Sequence, residues 1–298
     1  MSSKSQVNST LPFVWNQKKG GMSQIFRKTL TTHHFDLDWN RHVTSRTYER
    51  FAYDARCEVL KEFGYPIEQM LSTNISYIPG STYVRFLSQQ FVNAKITVES
   101  QVYRMDQGIL FWKQTILGGD GKKACELETT SRLVQDGKNI IIAAIPEINV
   151  IIPYEFTIHP KPTMQNTVEH DYYIPFSDMN CFWNLPSDAI WKVFEEGRFL
   201  FFKEIVDLNL IKETDSTTFF MGGEIIIHKQ PDPGSHVKIL SWIESFEKIR
   251  FYFRQDIVDL KGNLLVSMKD EQLFVSLSTS RPRRAPAAFF DKIERFIE

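Results

Sequence analysis

The chain has 298 residues, 42 % of them hydrophobic and 24 % charged. That is the makeup of a globular protein with a core, long enough for two ordinary domains. Thirty-five basic residues meet 36 acidic ones for a net charge of −1, so no overall field favours nucleic acid and no such partner is expected.

Residues 1–20 form a polar tail. It lacks the apolar segment of a secretory signal, and no stretch of about 18 apolar residues follows anywhere, so no membrane span is expected. A strand is predicted over 25–35. It ends in the densest polar cluster of the chain, His33-His34-Phe35-Asp36-Leu37-Asp38-Trp39-Asn40-Arg41-His42-Val43. A long helix follows over 45–63, with Tyr48, Phe51, Ala55 and Val59 at helical spacing. Then β-branched and aromatic residues alternate over 83–100, 101–117 and 124–134, broken by turns such as Gly118-Gly119-Asp120-Gly121. A proline-bearing stretch of little periodicity, with Pro153, Pro160 and Pro162, reads as a linker. The series then repeats: a strand over 170–176, a helix over 186–208 carrying Ile190, Val193, Phe194, Gly197 and Phe201, and strands over 223–228, 236–246, 249–259 and 264–277.

The repeat is also literal. Gln114 and Gln255 are 141 residues apart, as are Gly121 and Gly262, Gln89 and Gln230, and Val134 and Val275. Near the front of each half, Asp38-Trp39-Asn40 aligns with Asp178-Met179-Asn180 at an offset of 140. A near-constant offset over so long a stretch marks an internal duplication. One helix followed by an antiparallel sheet, twice, is an α+β arrangement. Each sheet is expected to wrap its own helix, and the two halves to pack together as a covalent pseudo-dimer. The expected boundaries are a tail over 1–20, an N-terminal domain over 21–150, a linker over 151–168 and a C-terminal domain over 169–298. Association into a homo-oligomer is left open.

The polar cluster is the place for chemistry. A carboxylate at Asp38 can activate water or attack a carbonyl carbon, with Asn40 and His42 as polar partners and His42 as a proton shuttle. The start of the following helix offers free N–H groups and a positive dipole end, suited to an oxyanion. Asp38 and Asn40 also have a plain reading as turn and cap residues. Asp36 reads as a turn residue, and His33 and His34 as the end of the strand. Arg56 and Arg198, at matching places on the two helices, read first as ion-pair partners. The cysteines Cys57, Cys125 and Cys181 form no CxxC pair, so neither disulfides nor a cysteine metal site is expected. No metal and no cofactor are expected at all. A reducing, cytoplasmic compartment is the default.

Asp38-Trp39-Asn40-Arg41-His42-Val43, with Tyr48, Phe51 and Ala55-Arg56 on the helix, resembles the signature of the hotdog-fold thioesterase superfamily. That signature runs D-x-x-G-H-V-N-N-x-x-Y and continues to an A-R pair. The D-x-N-x-H-V form is similar to that of acyl-acyl-carrier-protein thioesterases, which carry tandem hotdogs; 4-hydroxybenzoyl-CoA thioesterase-like proteins are similar too. The resemblance implies two tandem hotdog folds. It implies hydrolysis of an acyl-CoA or acyl-carrier-protein thioester, fatty or aromatic. It assigns Asp38 as the catalytic carboxylate, Asn40 and His42 as its partners, and backbone N–H groups at Thr44 and Ser45 as the oxyanion donors. Arg41 stands where the family has Gly, and Thr44-Ser45 where it has Asn-Asn. In the second half Asp178 and Asn180 are retained but Phe182 replaces the His, whereas Glu195-Glu196 keeps the acidic pair of the helix. Asp178, Asn180 and Glu195 are therefore secondary candidates. Arg41, and the cluster of Arg281, Arg283 and Arg284, are the basic groups open to a CoA phosphate, though a solvated tail is the plainer reading of that cluster. The alternatives are a non-catalytic acyl-thioester-binding protein of the same fold and a hotdog dehydratase or hydratase. The latter ranks low because no H-F-P-G-x-P segment occurs.

Overall fold

A computed structural model describes residues 24–148 and 166–297. The tail over 1–20 and nearly all of the expected linker over 151–168 lie outside the described residues.

In the first half, strand β1 (Phe26–Thr31) leads through a short 3-10 turn (His34–Asp36) into helix α1 (Ser45–Glu62). A short helix α2 (Ile67–Ser72) and strands β2 (Ser76–Phe86), β3 (Lys95–Arg104), β4 (Leu110–Leu117), β5 (Lys123–Gln135) and β6 (Lys138–Asn139) follow. The second half repeats the order. Strand β7 (Val168–Tyr173), a 3-10 turn (Phe176–Asp178) and helix α3 (Ser187–Phe201) come first. A π-helical turn (Phe202–Val206) and helix α4 (Leu208–Glu213) are next. Strands β8 (Ser216–Ile227), β9 (His236–Phe246), β10 (Arg250–Asp259) and β11 (Leu264–Ser276) complete the sheet, and helix α5 (Ala287–Ile293) and a 3-10 turn (Glu294–Phe296) close the described chain.

Among the described residues the strands form one antiparallel sheet in the order β1-β3-β4-β5-β2-β8-β11-β10-β9-β7, with β6 at the side of β5. The halves join where β2 pairs with β8, Thr82 opposite Ile225 and Arg85 opposite Gly222. The seam is tight: a Cβ on Gly222 would stand 2.6 Å from the Val84 carbonyl oxygen, so only glycine fits there.

The long helices lie on the sheet because their apolar residues recur on one face. Tyr48, Phe51, Ala55 and Val59 are buried, and so are Ile190, Val193, Phe194, Gly197 and Phe201. The paired glutamines explain part of the repeat. From β4, Gln114 donates to the Ala52 carbonyl of α1 and to the Ser100 hydroxyl, both at 2.9 Å. From β10, the Gln255 amide lies 3.1 Å from both the Phe194 carbonyl and the Arg198 N–H of α3, and it bonds both when its nitrogen faces the carbonyl. A buried polar group needs such partners, and each half solves the need with the same residue at the same place.

Local geometry corrects one alignment. The loop before α1 is closed by Asp38 N–H to His42 O at 2.8 Å and Arg41 N–H to Asp38 O at 2.9 Å. The loop before α3 is closed by Asn180 N–H to Asn184 O at 3.0 Å and Trp183 N–H to Asn180 O at 3.1 Å. Arg41 and Trp183, at φ of 66° and 59°, occupy the same left-handed position. Asn180 is therefore the counterpart of Asp38, and Asp178 that of Asp36, at an offset of 142 rather than 140. The ion pairs agree: Asp36 holds Arg50, and Asp178 holds Lys192. No helix among the described residues is long and apolar enough to cross a membrane.

Candidate active site

The loop between β1 and α1 is held from within. The Asp36 carboxylate is buried and accepts the His33 N–H at 2.7 Å, besides pairing with Arg50, so it is a structural residue. Asp38 Oδ1 accepts the His42 N–H at 3.0 Å, and its other oxygen has no partner among the described residues. The His42 ring stands edge-on to Phe91 and Phe219, with centroids 5.4 and 6.4 Å away, one ring from each half.

Thr44 caps α1, its hydroxyl oxygen accepting the Thr47 N–H at 3.2 Å. Its own N–H donates to the Asp36 carbonyl at 2.9 Å, which removes Thr44 from the expected oxyanion donors. The N–H groups at the helix start belong to Ser45 and Arg46. Ser45 N–H has no acceptor among the described residues. Arg46 N–H donates to Glu195 Oε1 at 3.1 Å, and the Ser45 hydroxyl donates to the same oxygen at 2.6 Å. Glu195 lies on α3, so the second half supplies a carboxylate to the first turn of the first half's helix, where the dipole favours an anion.

Asp38, Asn40, His42, Thr44, Ser45 and Glu195 line one cavity of about 920 Å³. The second half adds a largely aromatic and aliphatic lining, with Phe199, Phe202, Phe220, Ile211 and Phe289. Tyr48 also lines it; burial holds its hydroxyl well above the usual phenol range, so it stays neutral.

The corresponding residues before and at the start of α3, Phe182, Asn184, Leu185 and Ser187, are buried. Ser187 at the start of α3 donates to Glu49 of α1, as Ser45 does to Glu195. Glu49, however, is sealed with Arg56, both side chains wholly buried. Phe182 belongs to the buried cluster that also holds Val59, Tyr77 and Leu133, and buried Asn184 donates to the Tyr77 carbonyl at 2.9 Å. Neither Asp178 nor Asn180 reaches the cavity. Asp178 pairs with Lys192 at 2.8 Å, and Asn180 Oδ1 accepts the Phe182 N–H at 2.9 Å. Of the secondary candidates only Glu195 is at the site. Of the basic groups, Arg41 is exposed, and Arg283 is spent on the Thr214 and Asp215 carbonyls. Among the described residues no group of three or more His, Cys, Asp or Glu side chains is placed to hold a metal ion.

A carboxylate, an imidazole and a helix start lining one largely apolar cavity are the parts of an acyl-transfer site. Residues 33–156 match the model of the thioesterase-like superfamily. This is the superfamily that the Asp38-to-Val43 motif resembles. No curated protein matches the chain by sequence. Among solved structures it is similar to a protein described as an oleoyl thioesterase from Lactobacillus plantarum, with 12 % identity, a TM-score of 0.66, and 89 % of this chain and 98 % of that one covered. It is also similar to the 12:0-ACP thioesterase from Umbellularia californica, with 11 % identity, a TM-score of 0.61, and 87 % and 94 % covered. An acyl-ACP thioesterase from Bacteroides thetaiotaomicron gives 14 %, 0.58, and 84 % and 97 %. At such identities the likeness is one of fold: the thioesterase-like hotdog type, an antiparallel sheet with a helix.

Proposed function

We propose that this thioesterase-like protein is a thioester hydrolase acting on acyl-CoA or acyl-carrier-protein substrates. It is read as two tandem hotdog folds, over 21–150 and 169–298, forming an intramolecular pseudo-dimer with one working site. The observation that carries the reading is the Glu195 carboxylate bonded to the first turn of α1, lining with Asp38 and His42 one cavity to which both halves contribute.

In this reading the acyl chain enters the aromatic part of the cavity and the thioester carbonyl lies at the start of α1. The Ser45 N–H polarises its oxygen. Asp38, through the oxygen left without a partner, takes a proton from a water held with Asn40 and His42. The water oxygen bonds to the carbonyl carbon, the carbon–sulfur bond breaks, and the proton passes through His42 to the departing thiolate. Glu195 acts as a positioning residue, since its Oε1 is already engaged by the Ser45 hydroxyl and the Arg46 N–H. Asp178 and Asn180 hold the equivalent loop in shape and take no part.

The test is hydrolysis across fatty and aromatic acyl groups on both CoA and carrier protein. Turnover abolished by Asp38→Asn supports the reading. Tight binding of acyl-CoA with no turnover on any carrier would replace it with the non-catalytic binder.

A further inference from the structure

Two cations line the cavity, Arg198 and the exposed Lys212, and Arg198 is the one held there by a buried carboxylate. Arg198 lies on α3 one helical turn beyond Glu195, about 5 Å further along the axis, and lines the same cavity. Its Nη1 donates to Asp270 Oδ2 at 2.8 Å. The Asp270 carboxylate is wholly buried, and its other oxygen accepts Gln272 Nε2 at 2.8 Å. The guanidinium sits over the Phe220 ring, 4.7 Å from the centroid. Its other N–H groups have no protein acceptor among the described residues.

The counterpart residue shows that this is not simply what the fold requires. Arg56 occupies the same place on α1, but it is wholly buried, donates from Nε to the Ala52 carbonyl and pairs with Glu49. The same position is closed off in one half and turned to the cavity in the other. A plain alkyl chain laid along Arg198 would strip water from the free guanidinium donors and return no hydrogen bond, which is costly. A chain with an oxygen at that depth would satisfy them, and Asp270 and Gln272 hold the fork in place to receive it.

Resting on the hydrolase reading, we propose that Arg198 determines specificity by binding an oxygen on the acyl chain a few carbons beyond the thioester. The preferred substrates are then 3-hydroxyacyl or 3-oxoacyl thioesters rather than saturated unsubstituted ones. A site built to bond a polar group rejects an analogue that lacks it far more strongly than an apolar pocket rejects an extra methylene.

The experiment compares kcat/KM for dodecanoyl-CoA, 3-hydroxydodecanoyl-CoA and 3-oxododecanoyl-CoA in the full chain. The wild type is expected to favour an oxygenated substrate at least about tenfold, and Arg198→Met to bring the ratio close to one. Because Arg198→Met strands the buried Asp270 charge, Arg198→Met/Asp270→Asn is measured beside it, with circular dichroism as the check on folding. No preference in the wild type, or equal losses on all three substrates in the variants, overturns the proposal. If no thioester turns over, the hydrolase reading fails by itself. Binding of the non-hydrolysable thioether analogues of the plain and 3-hydroxy substrates then decides the inference. Tighter binding of the 3-hydroxy analogue, lost in the variants, supports it; equal binding overturns it.

Discussion

Glu195 accepts the Ser45 hydroxyl at 2.6 Å although 150 residues separate them. The bond ties the middle of α3 to the first turn of α1, so the site exists only where the two halves meet. The start of α3 makes a bond of the same kind, Ser187 to Glu49, in a closed core. The acceptors are not counterparts: Tyr53 stands on α1 where Glu195 stands on α3, and Glu49 lies one turn before it. The two serines are the duplicated part, and the Ser45 bond is the one that lines the cavity.

Glu195→Ala and Ser45→Ala are each expected to lower kcat about tenfold, since each loosens the helix start where charge develops. A positioning role predicts more than the losses themselves. The double variant should be no worse than Glu195→Ala, which already removes the bond that Ser45→Ala removes. Kinetics of the four proteins check this, and multiplied losses would show that the two side chains act independently.

Asp38→Asn is expected to reduce hydrolysis by about a hundredfold or more. Asparagine keeps the acceptor for the His42 N–H, so the loop should hold; in the second half Asn180 Oδ1 accepts the matching Asn184 N–H at 3.4 Å. Asp178→Asn removes only a part-exposed pair with Lys192 and should cost at most about 1 kcal/mol of stability, with little change in rate. Urea denaturation and steady-state assays separate the two effects. Equal rate losses would mean that the second half contributes to the chemistry.

The elements and the duplication are legible in the sequence because they rest on local pattern. The helices show an apolar period of 3.6, the strands alternate, and Gln114 and Gln255 recur because each half must bond a helix carbonyl. The Asp38-to-His42 loop is legible for the same reason. The joining of the site is not. Glu195 carries the family position of an acidic pair, but nothing in the chain says that it reaches the other half's helix. Letter matching also misled: Asp178 looks like Asp38, yet asparagine can make the same turn bonds, and the true counterpart is Asn180. The Thr44 N–H was no better marked, since its bond to the Asp36 carbonyl depends on how the loop closes.

Arg41 stands at a φ of 66°, a left-handed position where the signature has glycine. A residue with a Cβ pays about 1–2 kcal/mol there, against glycine's greater chain entropy of about 0.5–1 kcal/mol. Arg41→Gly should therefore be tolerated, with a gain of up to about 1 kcal/mol. Arg41→Val should lose about 1–2 kcal/mol, since β-branching suits that region least. Chemical denaturation of both variants checks the order, and a large loss in Arg41→Gly would show that the arginine side chain itself holds the loop.

The three thiols should separate cleanly. Cys181 is exposed, Cys125 is buried, and Cys57 is half-buried. Burial pushes the Cys57 thiol up to about 12 and raises Cys125 well above its ordinary range. Since the thiolate is the reactive form, Ellman's reagent at pH 8 should titrate one thiol quickly in the native protein and three after denaturation. Fast reaction of a second thiol, or none, would contradict the burial described.

Stability should also depend on Asp188 in a definite direction. Its carboxyl lies in the first turn of α3, and burial raises its pKa, with the Glu49 charge adding to the effect. Arg50, Arg46 and the Ala189 N–H oppose the rise but do not cancel it. The folded chain thus holds this proton more tightly than the unfolded chain, whose aspartate titrates near about 3.9. The contribution to stability is fully present below that value and is lost as pH rises through the folded pKa. Asparagine at this position has no proton to lose. The melting temperature of Asp188→Asn relative to wild type should accordingly be higher at pH 7 than at pH 3. A thermal series across that range measures it. A difference that stays flat would mean that folding leaves this pKa unchanged, and one that falls with rising pH that the ionised carboxylate is stabilised by its place at the helix start; either overturns the expectation.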